Sequence, residues 1–82
     1  MYDLTTLRQE FPILSKCIYL DSASTSQTPR CSVDAMCEYF YEYAANHGRG
    51  AHLLARKTTE KYEETRSKLG GFLKVPADNL IF

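Results

Sequence analysis

The sequence predicts a mainly α-helical chain, with a short N-terminal helix, a short strand and two amphipathic helices. Two observations support this fold class. Apolar residues recur at helical spacing over two long stretches, roughly 30–45 and 52–73. The run Ile18-Tyr19-Leu20 has strand propensity, and the polar segment 21–29 follows it. A chain of 82 residues has room for one small domain.

The N-terminal helix is indicated by Leu4, Leu7 and Phe11, which fall on one face at helical spacing. Asp3 precedes them as an N-cap, because its carboxylate can accept hydrogen bonds from the first free N–H groups. Pro12 ends the helix, since a proline ring clashes with a continuing helical backbone. The element is therefore short.

The second helix begins near Pro29, a residue that suits the first helical turn. Its apolar positions share helical spacing and are Val33, Met36, Cys37, Phe40, Tyr41 and Ala44. Tyr39, Tyr41 and Tyr43 alternate by two along the helix and therefore point to different faces. Packing in a core or an interface explains these rings better than a cofactor site does.

The segment 46–50 separates the two long helices, because Gly48 and Gly50 give the backbone freedom to turn. Steps of three and four mark one face of the third helix: Leu54, Thr58, Tyr62, Thr65, Leu69 and Phe72. On another face, Glu64 and Lys68 form a favourable i, i+4 pair. The sequence thus predicts two amphipathic helices joined by a glycine-containing loop.

The last residues indicate a turn followed by the start of a strand. Gly70-Gly71 weakens the end of the third helix, residues 75–79 are turn formers, and Leu80-Ile81-Phe82 is apolar. Burial of apolar surface stabilises a fold by ~25 cal/mol per Å², whereas the loss of conformational entropy costs ~1.5 kcal/mol per ordered residue. For so small a chain the two nearly cancel, and the net free energy of folding is near zero. We therefore expect a fragment that is marginally stable alone, or one that associates through its apolar helix faces.

Charge and hydropathy argue against several classes of partner. The net charge is zero, whereas proteins that bind nucleic acid or anionic membranes normally carry a basic excess. Uninterrupted apolar runs fall far short of the roughly 20 residues that span a bilayer. The N-terminus has neither the basic region nor the apolar run of a secretory signal. We expect a cytoplasmic protein with no nucleic-acid or membrane partner.

Cysteine and histidine spacing predicts no metal site. Cys17, Cys31 and Cys37 contain no C-x-x-C pair, and His47 and His52 lack a third ligand at metal spacing. An odd number of thiols is also a poor disulfide framework. We expect free thiols that are buried, as free cysteines commonly are.

Five motifs in a fixed order are similar to those of a known family. They are Phe11-Pro12-Ile13-Leu14, Tyr19-Leu20-Asp21-Ser22-Ala23-Ser24-Thr25, Asn46-x-x-Arg49-Gly50-x-His52, Glu60-Lys61-Tyr62-Glu63-x-x-Arg66 and Asn79-Leu80-Ile81-Phe82. Together they resemble the N-terminal portion of class V aminotransferase-fold enzymes, which depend on pyridoxal phosphate (PLP), and within these the cysteine desulfurases and selenocysteine lyases. The resemblance covers essentially the whole chain. It implies a parent enzyme of the α/β PLP-dependent transferase fold type I, of which this chain is about the first fifth.

The resemblance also implies how the chain is organised. Residues 1–29 are expected to be an N-terminal arm with a short helix and a strand-loop, and 30–73 a helical pair. Residues 74–82 are expected to be a turn and the start of the first strand of a large domain that the chain lacks. A homo-oligomer is implied as well.

The chemistry implied by the resemblance is removal of sulfur from L-cysteine, which leaves alanine. PLP acts as the electron sink, and an enzyme cysteine thiolate takes the sulfur as a persulfide, for uses such as iron–sulfur cluster assembly. No residue of this chain matches the family's Schiff-base lysine, its phosphate-binding loop or its sulfur-accepting cysteine. We therefore expect no catalytic, cofactor-binding or metal-binding residue here, and a fragment that alone binds no PLP and is inactive.

The residues that the resemblance assigns lie in two loops. Ala23 and Ser24 are expected to bind substrate, through backbone N–H groups near its carboxylate and through side chains small enough to permit close approach. Arg49, Gly50 and His52 match a loop expected at the active-site mouth or the dimer interface.

The second loop departs from the commonest desulfurase pattern, in which a histidine directly precedes the arginine. Here Gly48 precedes Arg49, and His47 stands one residue earlier. Ser24 also stands where alanine is frequent. These departures leave open what role an imidazole has in this loop.

Other interpretations of the same residues remain open. Asp21 and Ser22 are also suited to a simple turn at a strand end, and Arg49 to a solvated cation. The chain as a whole is compatible with a stand-alone helical dimerisation module, or with another class V enzyme, a transaminase or one with kynureninase-like cleavage.

Overall fold

The computed structural model describes all 82 residues, and it is mainly helical with no strand. The predicted fold class is confirmed. Three α-helices, with two 3₁₀ turns and one π-helical segment, follow in the order α1 Leu4–Gln9, 3₁₀ Pro12–Ser15, α2 Arg30–Glu38, π Tyr39–Tyr43, α3 Leu53–Leu73 and 3₁₀ Ala77–Asn79. The chain forms two compact units, unit 1 from Met1 to Glu38 and unit 2 from Tyr39 to Phe82.

Helix α1 begins with the predicted cap. One oxygen of the Asp3 carboxylate accepts from the backbone N–H of Thr5 at 3.0 Å, and the other accepts from the Thr6 hydroxyl at 2.6 Å. The hydrogen bond from Thr6 is the main reason that the pKa of Asp3 lies below its ordinary value. The helix ends at Gln9, ahead of Pro12, which opens a separate 3₁₀ turn.

The predicted strand at Ile18-Tyr19-Leu20 is wrong, because these residues form no ladder. Ile18 and Leu20 are 88% and 91% exposed. An extended segment becomes a strand only when a neighbouring strand satisfies its backbone groups, and unit 1 supplies none. In unit 2, Leu80 likewise has extended dihedrals without a pairing partner, and the strand start at Leu80-Ile81-Phe82 stays a prediction.

The expectation of buried thiols is also wrong. Cys17, Cys31 and Cys37 are all exposed and free. The reason is that unit 1, which holds all three, has no buried residue and therefore no interior for a thiol to enter. Burial preference acts only where a core exists.

Unit 2 has a small core built where the π-helical segment meets α3. Tyr43 is 7% exposed and Ala55 is fully buried. The hydroxyl of Thr58, also buried, donates to the Tyr43 carbonyl at 2.7 Å. The expectation that the tyrosines face different ways holds for Tyr41, which is 84% exposed, but Tyr39 packs edge-on against Tyr43 and so shares its face.

Helix α3 ends in a Schellman motif. The Val75 N–H donates to the Gly70 carbonyl at 3.0 Å and the Lys74 N–H to the Gly71 carbonyl at 3.3 Å. Lys74 takes the left-handed conformation, with φ of 57°. A Cβ at Gly70 would lie 3.0 Å from the Val75 carbonyl oxygen, so this glycine lets the returning chain approach the helix.

The exposed face of α3 carries the predicted ion pair. Lys68 Nζ lies 2.9 Å from Glu64 Oε1, and Lys61 also approaches this carboxylate. The hydrogen bond from Lys68 is the largest cause of the lowered pKa of Glu64. No helix in the chain has both the length and the apolar content that a membrane crossing requires.

Candidate functional site

The first predicted loop is closed by main-chain hydrogen bonds. The N–H groups of Ser24 and Thr25 donate to the Asp21 carbonyl at 3.0 and 3.2 Å. The Tyr19 hydroxyl donates to the Thr25 carbonyl and lies 3.1 Å from that of Asp21. Ala23 and Ser24 are exposed at the outside of this turn. The backbone of Asp21 thus forms the turn, and the Tyr19 side chain braces it.

A groove of about 690 Å³ opens beside this turn in unit 1. The residues that line it include the apolar Phe11 and Leu14, the cationic Arg8, and the serines Ser22 and Ser26. Ala23 and Ser24 are not among the residues that line it. The turn therefore borders the groove through Ser22, and Ser26 lines it just beyond the turn.

The second predicted loop lies directly on the first turns of α3. The Gly48 N–H donates to Thr59 Oγ1 at 2.9 Å, and the backbone of Gly48 has a positive φ of 76°. A Cβ at Gly50 would lie 2.2 Å from the Cβ of Ala55, which is fully buried. Gly50 is therefore required by contact with the helix, and Gly48 by its backbone conformation.

His52 is the N-cap of α3. Its Nδ1 accepts from the Ala55 N–H at 3.3 Å, so a neutral imidazole carries its proton on Nε2. Arg49 is exposed and forms no hydrogen bond or ion pair within the chain. The loop thus exposes the unpaired guanidinium of Arg49. It lies between Gly48, which is required by its backbone conformation, and Gly50, which is required by its contact with α3.

The most connected side chain near this loop is His47, which the motif comparison did not assign. Its ring stacks on Tyr62 with centroids 3.7 Å apart and an interplanar angle of 24°. Its Nε2 lies 3.5 Å from Glu63 Oε1, and the other Glu63 oxygen accepts from Arg66 at 3.0 Å. The Arg66 guanidinium lies over Tyr62 and over the ring of Phe82.

The signal for this cluster is weak in the sequence. Tyr62, Glu63 and Arg66 belong to one of the quoted motifs, but nothing in their spacing shows that His47 folds onto them. The contact joins residues far apart in the chain, and only the three-dimensional path of the loop reveals it.

The predicted site residues divide between the two units. Ala23 and Ser24 lie in unit 1, whereas Arg49, Gly50 and His52 lie in unit 2. Within unit 2, Gly50 and His52 come together at the start of α3. No three His, Cys, Asp or Glu side chains are grouped so as to hold a metal ion.

Comparison with known proteins agrees with this architecture. The family model described as "Aminotransferase class-V" matches residues 18–82. A probable cysteine desulfurase of Methanothermobacter thermautotrophicus is 46% identical over 93% of this chain and 19% of its own length. One of Streptomyces coelicolor is 42% identical over 100% of this chain and 22% of its own.

A solved structure gives the same result. The apo structure of a cysteine desulfurase from Thermococcus onnurineus NA1 superposes with a TM-score of 0.83 and 38% identity, over 94% of this chain and 19% of that one. The chain thus spans about a fifth of the length of the relatives it matches. The resemblance that the ordered motifs indicated is confirmed, and the chain belongs to the class V aminotransferase family.

Proposed function

We propose that these 82 residues form the N-terminal part of a PLP-dependent cysteine desulfurase, which converts L-cysteine to alanine and leaves the sulfur as an enzyme persulfide. The observation that carries the proposal is the superposition on a cysteine desulfurase over 94% of the chain. The curated relatives with high identity point to the same reaction.

The residues of this chain do not themselves fit PLP. A PLP enzyme holds the cofactor on a lysine inside a pocket, where it supplies an electron sink. Every lysine here is exposed, and three are engaged at the surface: Lys61 and Lys68 with Glu64, and Lys57 over the Tyr43 ring. We therefore assign no reaction step to this chain alone, and expect it to be inactive by itself.

For the first loop we propose a substrate-side role, in which Ala23 and Ser24 approach the carboxylate of the amino-acid substrate. The hydrogen bonds of the turn refine this assignment. The Ser24 N–H is used internally by the Asp21 carbonyl, whereas the Ala23 N–H donates to no group of the chain. The free donor for a carboxylate is thus the N–H of Ala23.

For the second loop we propose a place at the active-site mouth or at the interface of a homo-oligomer. Arg49 is the group available there, because a guanidinium without an internal partner is suited to a carboxylate from outside. Gly50 and His52 support it by shaping the loop and capping α3. The division into an arm (1–29), a helical pair (30–73) and a turn with a strand start (74–82) belongs to this proposal, as does a cytoplasmic location.

The test is to assay the complete polypeptide that carries these residues, loaded with PLP, for alanine and sulfide from L-cysteine. The 82-residue chain treated in the same way is the matched control, and we expect neither product from it. Alanine from kynurenine, or amino transfer to a keto acid, in place of sulfide release would assign another class V reaction.

A stand-alone helical module is a second candidate, and exposed apolar side chains favour it. Phe40, Phe72 and Leu73 are 66%, 81% and 50% exposed. Such side chains are suited to association between copies of the chain. Sedimentation separates the candidates: a monodisperse dimer that melts cooperatively supports the module, and an unfolded or aggregating chain supports the enzyme segment.

A further inference from the structure

The loop 46–52 is held to α3 more firmly than an exposed connection needs. We propose that His47 is a positioning residue, whose ring fastens this loop to α3 and so sets where Arg49 projects. The inference rests on the proposed role of Arg49 at the active-site mouth. It gives a function to an imidazole for which the resemblance assigned no role.

The backbone at Gly48 favours residue 47 as the source of the ring. Gly48, the residue directly before Arg49, has a φ of 76°, a conformation that costs a β-carbon-bearing residue free energy. Glycine takes this turn without strain. His47 stands directly before this glycine, and its ring reaches back onto Tyr62 of α3.

Stacking on Tyr62 is the stronger of the two contacts of His47. The ring centroids are 3.7 Å apart and the planes are nearly parallel. The contact to Glu63, at 3.5 Å, is longer than a charge-assisted hydrogen bond, and both side chains are substantially exposed. Glu63 also already accepts from Arg66. The ring, rather than the charge, is thus expected to hold the loop.

The neighbours of Arg49 are fixed on both sides once the ring is seated. Upstream, the Gly48 N–H is directed to Thr59 Oγ1. Downstream, Gly50 lies against Ala55 with no room for a side chain. Arg49 is left exposed between these two anchors, with its backbone position set and its guanidinium unpaired.

The test uses three substitutions that separate stacking from pairing. H47F keeps a ring for Tyr62, H47Q keeps a hydrogen-bonding group without the ring, and H47A keeps neither. The readout is amide hydrogen exchange of Gly48, measured by NMR at constant pH in the complete polypeptide that carries these 82 residues. Tyr41→Ala is the matched control, because it removes an exposed ring in the same unit.

We expect Gly48 exchange to accelerate roughly threefold to tenfold in H47A and H47Q, the range of one aromatic pair, and to stay within about twofold of wild type in H47F and in the control. Rescue by phenylalanine is the result that a merely polar role would not give, and failure of glutamine, a side chain of similar size, is the result that mere space filling would not give. Wild-type ring-current shifts on the His47 protons, abolished by Tyr62→Leu, are the second expected signature.

Two results would overturn the proposal. One is equal Gly48 exchange in wild type and H47A, which includes a wild-type amide that already exchanges freely. The other is protection by glutamine but not by phenylalanine. The exchange measurement does not depend on desulfurase activity. A result against the role of His47 can therefore be distinguished from a result against the proposed reaction.

Discussion

Units 1 and 2 are of similar length but are held together in different ways. Unit 1 has no buried residue, and its ordered turns depend on hydrogen bonds such as the cap at Asp3 and the contacts of Tyr19. Unit 2 has a core at Tyr43 and Ala55 and a stacked cluster around Tyr62. Exposed hydrogen bonds stabilise weakly, because water replaces them when they open.

The two candidate loops therefore have different supports. The turn at Ala23 and Ser24 has a defined shape without a core beneath it. The loop at Arg49 lies on a helix that has one. We therefore expect substitutions to act strongly in unit 2 and weakly in unit 1, and the following experiments test this contrast.

The largest effect is expected for Gly50→Ala. The new methyl would meet the Ala55 Cβ at 2.2 Å, so the loop or the helix must shift, at a cost of about 2–3 kcal/mol in the free energy of unfolding. Urea denaturation followed by circular dichroism measures it. Gly71→Ala is the control: its Cβ meets nothing within 4 Å, and it should leave stability unchanged or raise it by up to about 1 kcal/mol. Equal effects at both glycines would contradict the contact.

Thr58→Val should cost roughly 1–2 kcal/mol, because it removes a buried donor to the Tyr43 carbonyl while nearly conserving volume. Thr65→Val is the matched control on the same helix. Its hydroxyl donates to the Lys61 carbonyl at the exposed surface, so its loss should fall within about 0.5 kcal/mol. Thermal melting compares the two, and a larger loss at Thr65 would mean that the core of unit 2 is not where the structure places it.

Lys74→Gly should stabilise unit 2 by about 1 kcal/mol, since lysine at φ of 57° occupies a conformation that glycine adopts freely. The same substitution at Lys68, inside the helix and paired with Glu64, should destabilise by about 1 kcal/mol. Opposite signs in chemical denaturation are the expected outcome. Two losses would argue against the Schellman ending.

The smallest effect concerns unit 1 and pH. The pKa of Asp3 is lowered in the folded state, so its contribution to α1 is present above the unfolded pKa and is lost as the pH falls through the folded value. NMR shifts of the Thr5 and Thr6 amides should follow this acid titration. Asp3→Asn, which keeps a capping oxygen without a charge, should remove the pH dependence and keep the helix. Unchanged titration of those amides in the Asn variant would refute the assignment.

The sequence predicted the features that depend on residues close together in the chain, and it failed for those that depend on distant ones. Helix α3, the Asp3 cap and the Glu64–Lys68 pair depend on residues within one or two turns, and spacing indicated all of them. The predicted helix 30–45 is α-helical only to Glu38 and continues as the π-helical segment Tyr39–Tyr43. The strand at Ile18-Tyr19-Leu20 and the burial of the cysteines depended on partners elsewhere, and both predictions failed.

The candidate site shows the same difference between features that the sequence predicts and contacts that only the structure reveals. Motif order identified Arg49, Gly50 and His52, but not the contact with Ala55 that makes Gly50 necessary. The stacking of His47 on Tyr62 was equally hidden, because it depends on the path of the loop in space. The roles of Ala23 and Ser24 in substrate binding, and of Arg49, Gly50 and His52 at the active-site mouth or interface, stay predictions.

The positions of the free thiols have a practical consequence. Cys17, Cys31 and Cys37 are exposed and all lie in unit 1, while unit 2 has no cysteine. Alkylation kinetics with a small maleimide therefore monitor one half of the molecule and are silent about the other. Any binding event that covers these cysteines of unit 1 will slow their labelling. Binding to unit 1 can therefore be followed without introducing an engineered cysteine.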